Sequence, residues 1–398
     1  MQVEGQGARP APSAARPLRG PTHLTILATY KCTAACRECC FESNPGHVLR
    51  IPRRRLLGYI DEAADTFETL RLAVFSGGEC FLLGDDLVAA VGRAARRGLA
   101  VRCVSNGYWA VNEQAARRWM DRLAGAGLRE LNLSTGDDHQ EFVPFERVAT
   151  GAVAAAQAGV RALLVVEAHA GSRFRAQQAL EHPRLQEFRG SHPNAHLLGI
   201  IQNVWIPFRT DRDLHPPLPA GSAPGGGCSN VLDNVVVTPD EQLAACCGLT
   251  MEHIPELKLG SLRRHRMGDL YRQALGDFLK IWLRVEGPER ILQFAAARNP
   301  LIATPAGCAH MCQACVSVHR NEAVRRALQE HWREKSPEVL FRFHLMRRQD
   351  ARAEETARAV CAPEPPAPIR SSGLSGSPHS QAPGAPRLAE QGGEHETT

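Results

Sequence analysis

Three cysteines, Cys32, Cys36 and Cys39, are separated by three residues and then two, just after a short apolar run at Leu24–Ala28. Thiolates at that spacing can wrap one face of a four-iron, four-sulfur cube. Such clusters are ordinarily held by four cysteines, so three local ligands leave one iron open. An open iron can chelate a substrate, much as a catalytic zinc keeps one position free. A structural zinc knuckle and unliganded buried thiols are the other readings, and Cys40 could stand in for Cys39 as third ligand. The chain has 13 cysteines, four of them within residues 32–40 and six, Cys228, Cys246, Cys247, Cys308, Cys312 and Cys315, within 228–315. A disulfide scaffold would spread its cysteines through a short secreted domain, whereas clusters favour metal sites in a reducing compartment. Two separate metal sites are expected. At the second, four thiolates would hold zinc as well as iron and sulfur, so spacing alone does not name the metal.

The elements that must position the first cluster are legible around it. Apolar runs at Leu24–Ala28, Leu72–Phe75, Ala100–Val104, Glu130–Leu133, Ala162–Val166 and His196–Ile201 alternate with helical patterns at Arg53–Phe67, Asp85–Arg97, Asn112–Ala126 and Pro144–Ala158. Gly98, Gly127 and Gly159 follow three of these helices, where a left-handed stop is expected. Strands alternating with helices imply right-handed crossovers and a parallel sheet. Six units in 23–202 suit a partial barrel, since a full eight-unit barrel takes about 250 residues. The cysteine motif then falls at the carboxyl edge of the sheet, where active sites collect.

Residues 1–22, rich in Ala, Pro, Gly and Arg, read as a disordered arm, and 362–398, rich in Pro, Ser, Gly and Glu, read as a disordered tail. The stretch 203–227 reads as a linker. A small cysteine-rich domain is expected over 228–335. It opens with a hairpin, Val235–Thr238 and Leu243–Cys246, followed by helices near 267–284, 288–298 and 318–334 and a C-terminal helix over 336–361. The formal charge of +5 selects no partner class. No run approaches the roughly 18 apolar residues of a membrane span, and no apolar signal segment opens the chain. A soluble, cytoplasmic protein is expected, with no membrane partner. The runs Arg53-Arg54-Arg55 and Arg263-Arg264-His265-Arg266 could attract an acidic peptide or nucleic acid, but most such runs are solvated surface and no nucleic-acid motif accompanies them.

The Cys32-x3-Cys36-x2-Cys39 motif after a first strand resembles the signature of the radical S-adenosylmethionine (SAM) superfamily. The resemblance implies an α/β fold with a partial (β/α)6 barrel, a [4Fe–4S] cluster on the three cysteines, and SAM chelated to the open iron. It implies reductive cleavage of SAM to a 5′-deoxyadenosyl radical that abstracts hydrogen from substrate. Ser76-Gly77-Gly78-Glu79 resembles the family's Gly-Gly-Glu motif: Gly77 and Gly78 let backbone approach the ligand, and the Glu79 carboxylate suits the methionine ammonium. Ser105 and Asn106 resemble the ribose-contacting position. Ser134 and Asp137, in the polar stretch Ser134–His139, resemble a segment of peptide-modifying members. Glu167 and His169 could face the cleft. Cys80 stands where the family commonly has proline and could donate a hydrogen atom to a substrate radical. Glu38 stands where the family often has an aromatic residue.

Downstream, Val236–Glu241 and then Cys246 resemble the hairpin of the auxiliary-cluster extension called SPASM, or its shorter twitch form, with Glu241 where glycine is usual. One further [4Fe–4S] cluster on Cys228, Cys246, Cys312 and Cys315 is the simplest count, with Cys247 and Cys308 as alternates. Members with such extensions mostly modify peptides or proteins. The expected function is therefore a peptide maturase, with a peptide or protein substrate and an electron donor such as flavodoxin or ferredoxin. A small-molecule radical SAM enzyme is the alternative within enzymes. An iron–sulfur or zinc binding protein without SAM chemistry is the alternative outside them.

Overall fold

A computed structural model describes residues 19–167, 171–203, 226–302 and 310–360. Most of the expected arm and linker, and all of the tail, lie outside these residues. Six strands pair in chain order, each parallel to the last: β1 (His23–Leu27), β2 (Leu72–Ser76), β3 (Ala100–Ser105), β4 (Glu130–Thr135), β5 (Arg161–Glu167) and β6 (Leu198–Asn203). Between them run α1 (Arg53–Thr66), α2 (Asp85–Arg96), α3 (Glu113–Ala126), α4 (Asp137–Gln140), α5 (Phe145–Gln157), α6 (Ala176–Leu180) and α7 (Pro183–Ser191). The larger helices bury one stripe on the sheet, at helical spacing: Leu56, Tyr59, Ile60 and Ala63 on α1, and Ala116, Met120 and Leu123 on α3. The glycines after α2, α3 and α5 take the expected positive φ. The fold is the α/β parallel architecture that the alternation implies.

The later strands join the same sheet. β7 (Asn234–Val237) lies parallel to β1, with Thr25 opposite Val236. β8 (Gln242–Ala244) and β9 (Lys258–Ser261) then add antiparallel. The order across the nine strands is β6-β5-β4-β3-β2-β1-β7-β8-β9, so β1 ends up inside the sheet and buries all but its first residue.

The helices that follow are α8 (Met267–Ala274), α9 (Phe278–Glu286), α10 (Pro288–Ala296), α11 (Met311–Arg320), α12 (Glu322–His331) and α13 (Ser336–Val360). Two expected helices are divided. The stretch 267–284 breaks at Gly276, after which the Asp277 side chain accepts from Leu279 N and Lys280 N and starts α9 afresh. The stretch 318–334 breaks at Asn321, whose side chain accepts from Val324 N. The described residues up to Arg347 form one compact unit. From Arg348 on, the described residues are the second half of α13, a unit by itself. No described helix is long and apolar enough to cross a membrane.

Glu241, in the β7–β8 turn, has φ +64°, a region that favours glycine. Its carboxylate is buried and bound by Tyr59 and Arg55 of α1 and by Arg263, the last at 2.8 Å. These contacts offset the backbone strain and tie the hairpin to the barrel. Glu241→Ala keeps the strain and removes an acceptor shared by three donors. It should cost about 2–3 kcal/mol of stability in denaturant unfolding. Glu241→Gly, which relieves the strain, should cost less.

Candidate active site

The first cysteine motif is held by main-chain contacts from the next strand end. Gly78 N donates to Thr29 O at 2.8 Å and Glu79 N donates to Lys31 O at 2.9 Å. A Cβ on Gly78 would lie 2.3 Å from Lys31 O, so only glycine lets these segments meet. Beyond Lys31 the chain turns into a cleft of about 610 Å³, counting its open mouth. Cys32, Cys36, Cys39 and Cys40 line one side, and Gly77, Gly78, Ser105, Asn106, Ser134 and His139 stand across from or beside them. Asn106 Nδ2 donates to Thr33 Oγ1 at 3.0 Å and reaches Cys32 Sγ at 3.6 Å. Ala34 N donates to Cys32 Sγ at 3.4 Å. Burial pushes the Cys32 thiol up to about 12 and raises that of Cys36 as well. Bound iron reverses that preference, because coordination requires thiolates.

The donor set suits the group expected there. Three thiols gather at one wall, with backbone, hydroxyl and amide groups beside them for a polar nucleoside ligand. Cys39 and Cys40 both reach the cleft.

Several expected residues are placed differently. The Glu79 carboxylate is wholly buried and does not line the cleft. It accepts from Phe81 N at 3.0 Å, Asn106 N at 2.8 Å and Ser105 Oγ at 3.0 and 3.1 Å. Burial raises its pKa to about 7, against the pull of those donors. Of the motif, Ser76, Gly77 and Gly78 line the cleft, while the Glu79 carboxylate holds the ends of β2 and β3. Cys80 is fully buried, and its thiol donates to Val104 O at 3.2 Å. Asp137 points elsewhere, its carboxylate accepting from Arg173 N at 2.7 Å and Phe174 N at 3.0 Å. Ser134 does line the cleft, and His169 lies outside the described residues.

The structure adds a pair that the strand ends only hinted at. His139 Nδ1 lies 2.6 Å from Glu167 Oε1, both residues being buried, and the His139 ring lines the cleft. Glu38 is buried beside Asp138, Glu167 and His139, and burial raises its pKa to about 7.

The second set of cysteines forms its own pocket of about 370 Å³, where Cys228, Cys246, Cys312 and Cys315 meet among Val231, Met251, Leu257 and Leu283. Cys312 and Cys315 stand one turn apart on α11, where residues three apart share a face. Gly248 N donates to Cys246 Sγ at 3.1 Å, and a Cβ there would lie 3.1 Å from that sulfur and 3.2 Å from Cys312 Sγ. Cys247 does not line this pocket. Cys308 lies outside the described residues. Among the described residues, no three His, Cys, Asp or Glu side chains converge closely enough to hold a single metal ion.

Glu79→Gln would set an amide N–H₂ against the donors of Phe81, Ser105 and Asn106. It should lower stability by about 1.5–3 kcal/mol in thermal or denaturant unfolding. Loss of SAM affinity without loss of stability would instead return the carboxylate to the ligand.

No family model matches the chain, and no curated protein sequence matches it. Among solved structures it is similar to native anSMEcpe with bound AdoMet, at 12% identity and TM-score 0.49, over 81% of this chain and 100% of that one. It is similar to BtrN in complex with AdoMet and 2-DOIA, at 11% identity and TM-score 0.40, over 68% of this chain and 89% of that one. It is similar to Streptococcus suis SuiB bound to S-adenosylmethionine, at 12% identity and TM-score 0.45, over 63% of this chain and 65% of that one.

Proposed function

We propose that the chain is a radical SAM enzyme whose cleft holds a [4Fe–4S] cluster on Cys32, Cys36 and Cys39. The observation that carries this reading is the gathering of those three thiols at the carboxyl edge of a parallel sheet, beside the Gly77-Gly78 backbone and the polar ends of β3 and β4. When bound, the cluster and SAM would supply a 5′-deoxyadenosyl radical for hydrogen abstraction. The chain's own part is to hold and orient. The main chain at Ser76–Gly78 offers acceptors to a ligand ammonium, while Ser105, Asn106 and Ser134 offer hydroxyl and amide groups to its polar parts. The Glu79 carboxylate keeps the ends of β2 and β3 in register. His139, braced by Glu167, gives the cleft a side chain able to hold or move a proton at its imidazole.

The second pocket is read as an auxiliary [4Fe–4S] site on Cys228, Cys246, Cys312 and Cys315. Around a tetrahedral zinc, thiolates 2.3 Å from the metal stand about 3.8 Å apart. A larger cluster sets them farther apart, and the four side chains share a pocket of about 370 Å³. The N–H of Gly248 on Cys246 is the kind of contact that tunes a cluster. A peptide or protein substrate, an electron donor of the flavodoxin or ferredoxin type, and a domain boundary near 228 belong to the same proposal. A small-molecule substrate is the second reading.

After anaerobic reconstitution and dithionite reduction, the protein should form 5′-deoxyadenosine from SAM. The variant with Cys32, Cys36 and Cys39 all replaced by Ala should form none. Well-loaded wild-type protein that leaves SAM intact would end the assignment. The same triple variant isolates the second pocket, and it should keep about four irons and four sulfides per chain. Stoichiometric zinc in their place would refute the auxiliary cluster.

A further inference from the structure

The two arginine runs, some 200 residues apart in sequence, meet in the fold. Arg53, Arg54 and Arg55 form the first turn of α1, which follows the loop that leaves β1. Arg263, Arg264, His265 and Arg266 follow β9. Arg55 and Arg263 share the Glu241 carboxylate, and Arg266 approaches Glu62 of α1 at 3.8 Å. Since β9 runs parallel to β1, its carboxyl end lies at the edge where the cysteine loop leaves β1. Both runs therefore sit on the rim of the edge that carries the cleft.

The charge there is not balanced by the residues around it. Six arginines and a histidine face three contacting carboxylates, and two of these, Glu241 and Glu62, are buried beneath them. The third, Asp86, is shared by Arg53 at 3.7 Å and by Arg50. Asp240, in the same turn as Glu241, is bound by Thr238 Oγ1. Arg54, Arg264 and His265 are exposed and have no ion pair among the described residues. The first turn of α1 also holds no acidic residue, and Pro52 provides no side-chain cap. Three arginines against the positive end of a helix reverse the usual preference, and an anion docked there would relieve both.

We propose that this rim is a docking surface for an acidic peptide segment, which would present the rest of the substrate to the cleft. It rests on the cleft being the active site. The patch offers charge without stacking, because Tyr59, the aromatic side chain at its base, is fully buried. Surfaces for single-stranded nucleic acid interleave aromatics with their basic residues, so a peptide fits better.

The test needs neither iron nor SAM, so it stands or falls apart from the radical chemistry. A fluorescein-labelled oligoglutamate peptide is titrated with the full chain at about 0.15 M salt, with anisotropy as the readout. R54E/R264E should weaken binding by at least about tenfold. R117E/R118E, an equal charge change on the exposed face of α3, should leave it within about twofold. If the charge reversal prevents folding, R54Q/R264Q carries the same comparison with a smaller loss. No binding by the wild-type chain, or equal loss in both double variants, would overturn the proposal. Tighter binding of an oligothymidylate of the same charge would overturn it in favour of nucleic acid.

Discussion

The buried carboxylate of Glu79 is the contact on which the shape of the cleft depends. It gathers Phe81 N, Asn106 N and Ser105 Oγ, and Ser105 Oγ in turn accepts from Trp109 Nε1 at 2.9 Å. The ends of β2 and β3 are thereby locked together. The main-chain bonds from Gly78 and Glu79 to Thr29 and Lys31 lock the cysteine loop onto the same point. A carboxylate with several N–H and O–H donors replaces its lost hydration in a way that an apolar side chain could not. Trp109 stacks on Phe81 with ring centroids 4.5 Å apart, which closes the apolar side of the arrangement.

A second constraint is that β1 serves two neighbours. Its pairing with β2 sets the cleft, and its pairing with β7 brings the hairpin of the second cysteine pocket into the same sheet. Tyr30, two residues before Cys32, bonds through its hydroxyl to Glu252, which also pairs with Lys258 at 2.6 Å. The second pocket is thus built onto the strand that delivers the first motif.

Much of this was legible in the residues. The six apolar runs match the six parallel strands, and the helix starts and stops fall within a residue or two, because period and punctuation are local properties. The helices after 260 were less readable. Gly276 and Asn321 sit inside continuous helical patterns, and the breaks come from Asp277 and Asn321 capping the next helix. The start of α11 at Met311 was hidden because its first turn carries the cysteine spacing, which reads as a metal loop.

By itself, the sequence determined the kinds of chemistry and their order along the chain: three close thiols at a strand end, a Gly-Gly turn at the next, and a later set of cysteines around a hairpin. These follow from residue type and spacing, which need no fold to be read. Only the tertiary structure decided which way side chains face. Glu79, Cys80 and Asp137 stand beside the cleft in sequence, yet they turn into the framework, because buried hydrogen-bond donors and close packing claim them first. Cys228, Cys246, Cys312 and Cys315 are far apart in the chain and meet only when α11 folds back over the hairpin. The joining of two arginine runs around Glu241 is likewise a fact of packing, since no local signal links α1 to the turn after β9.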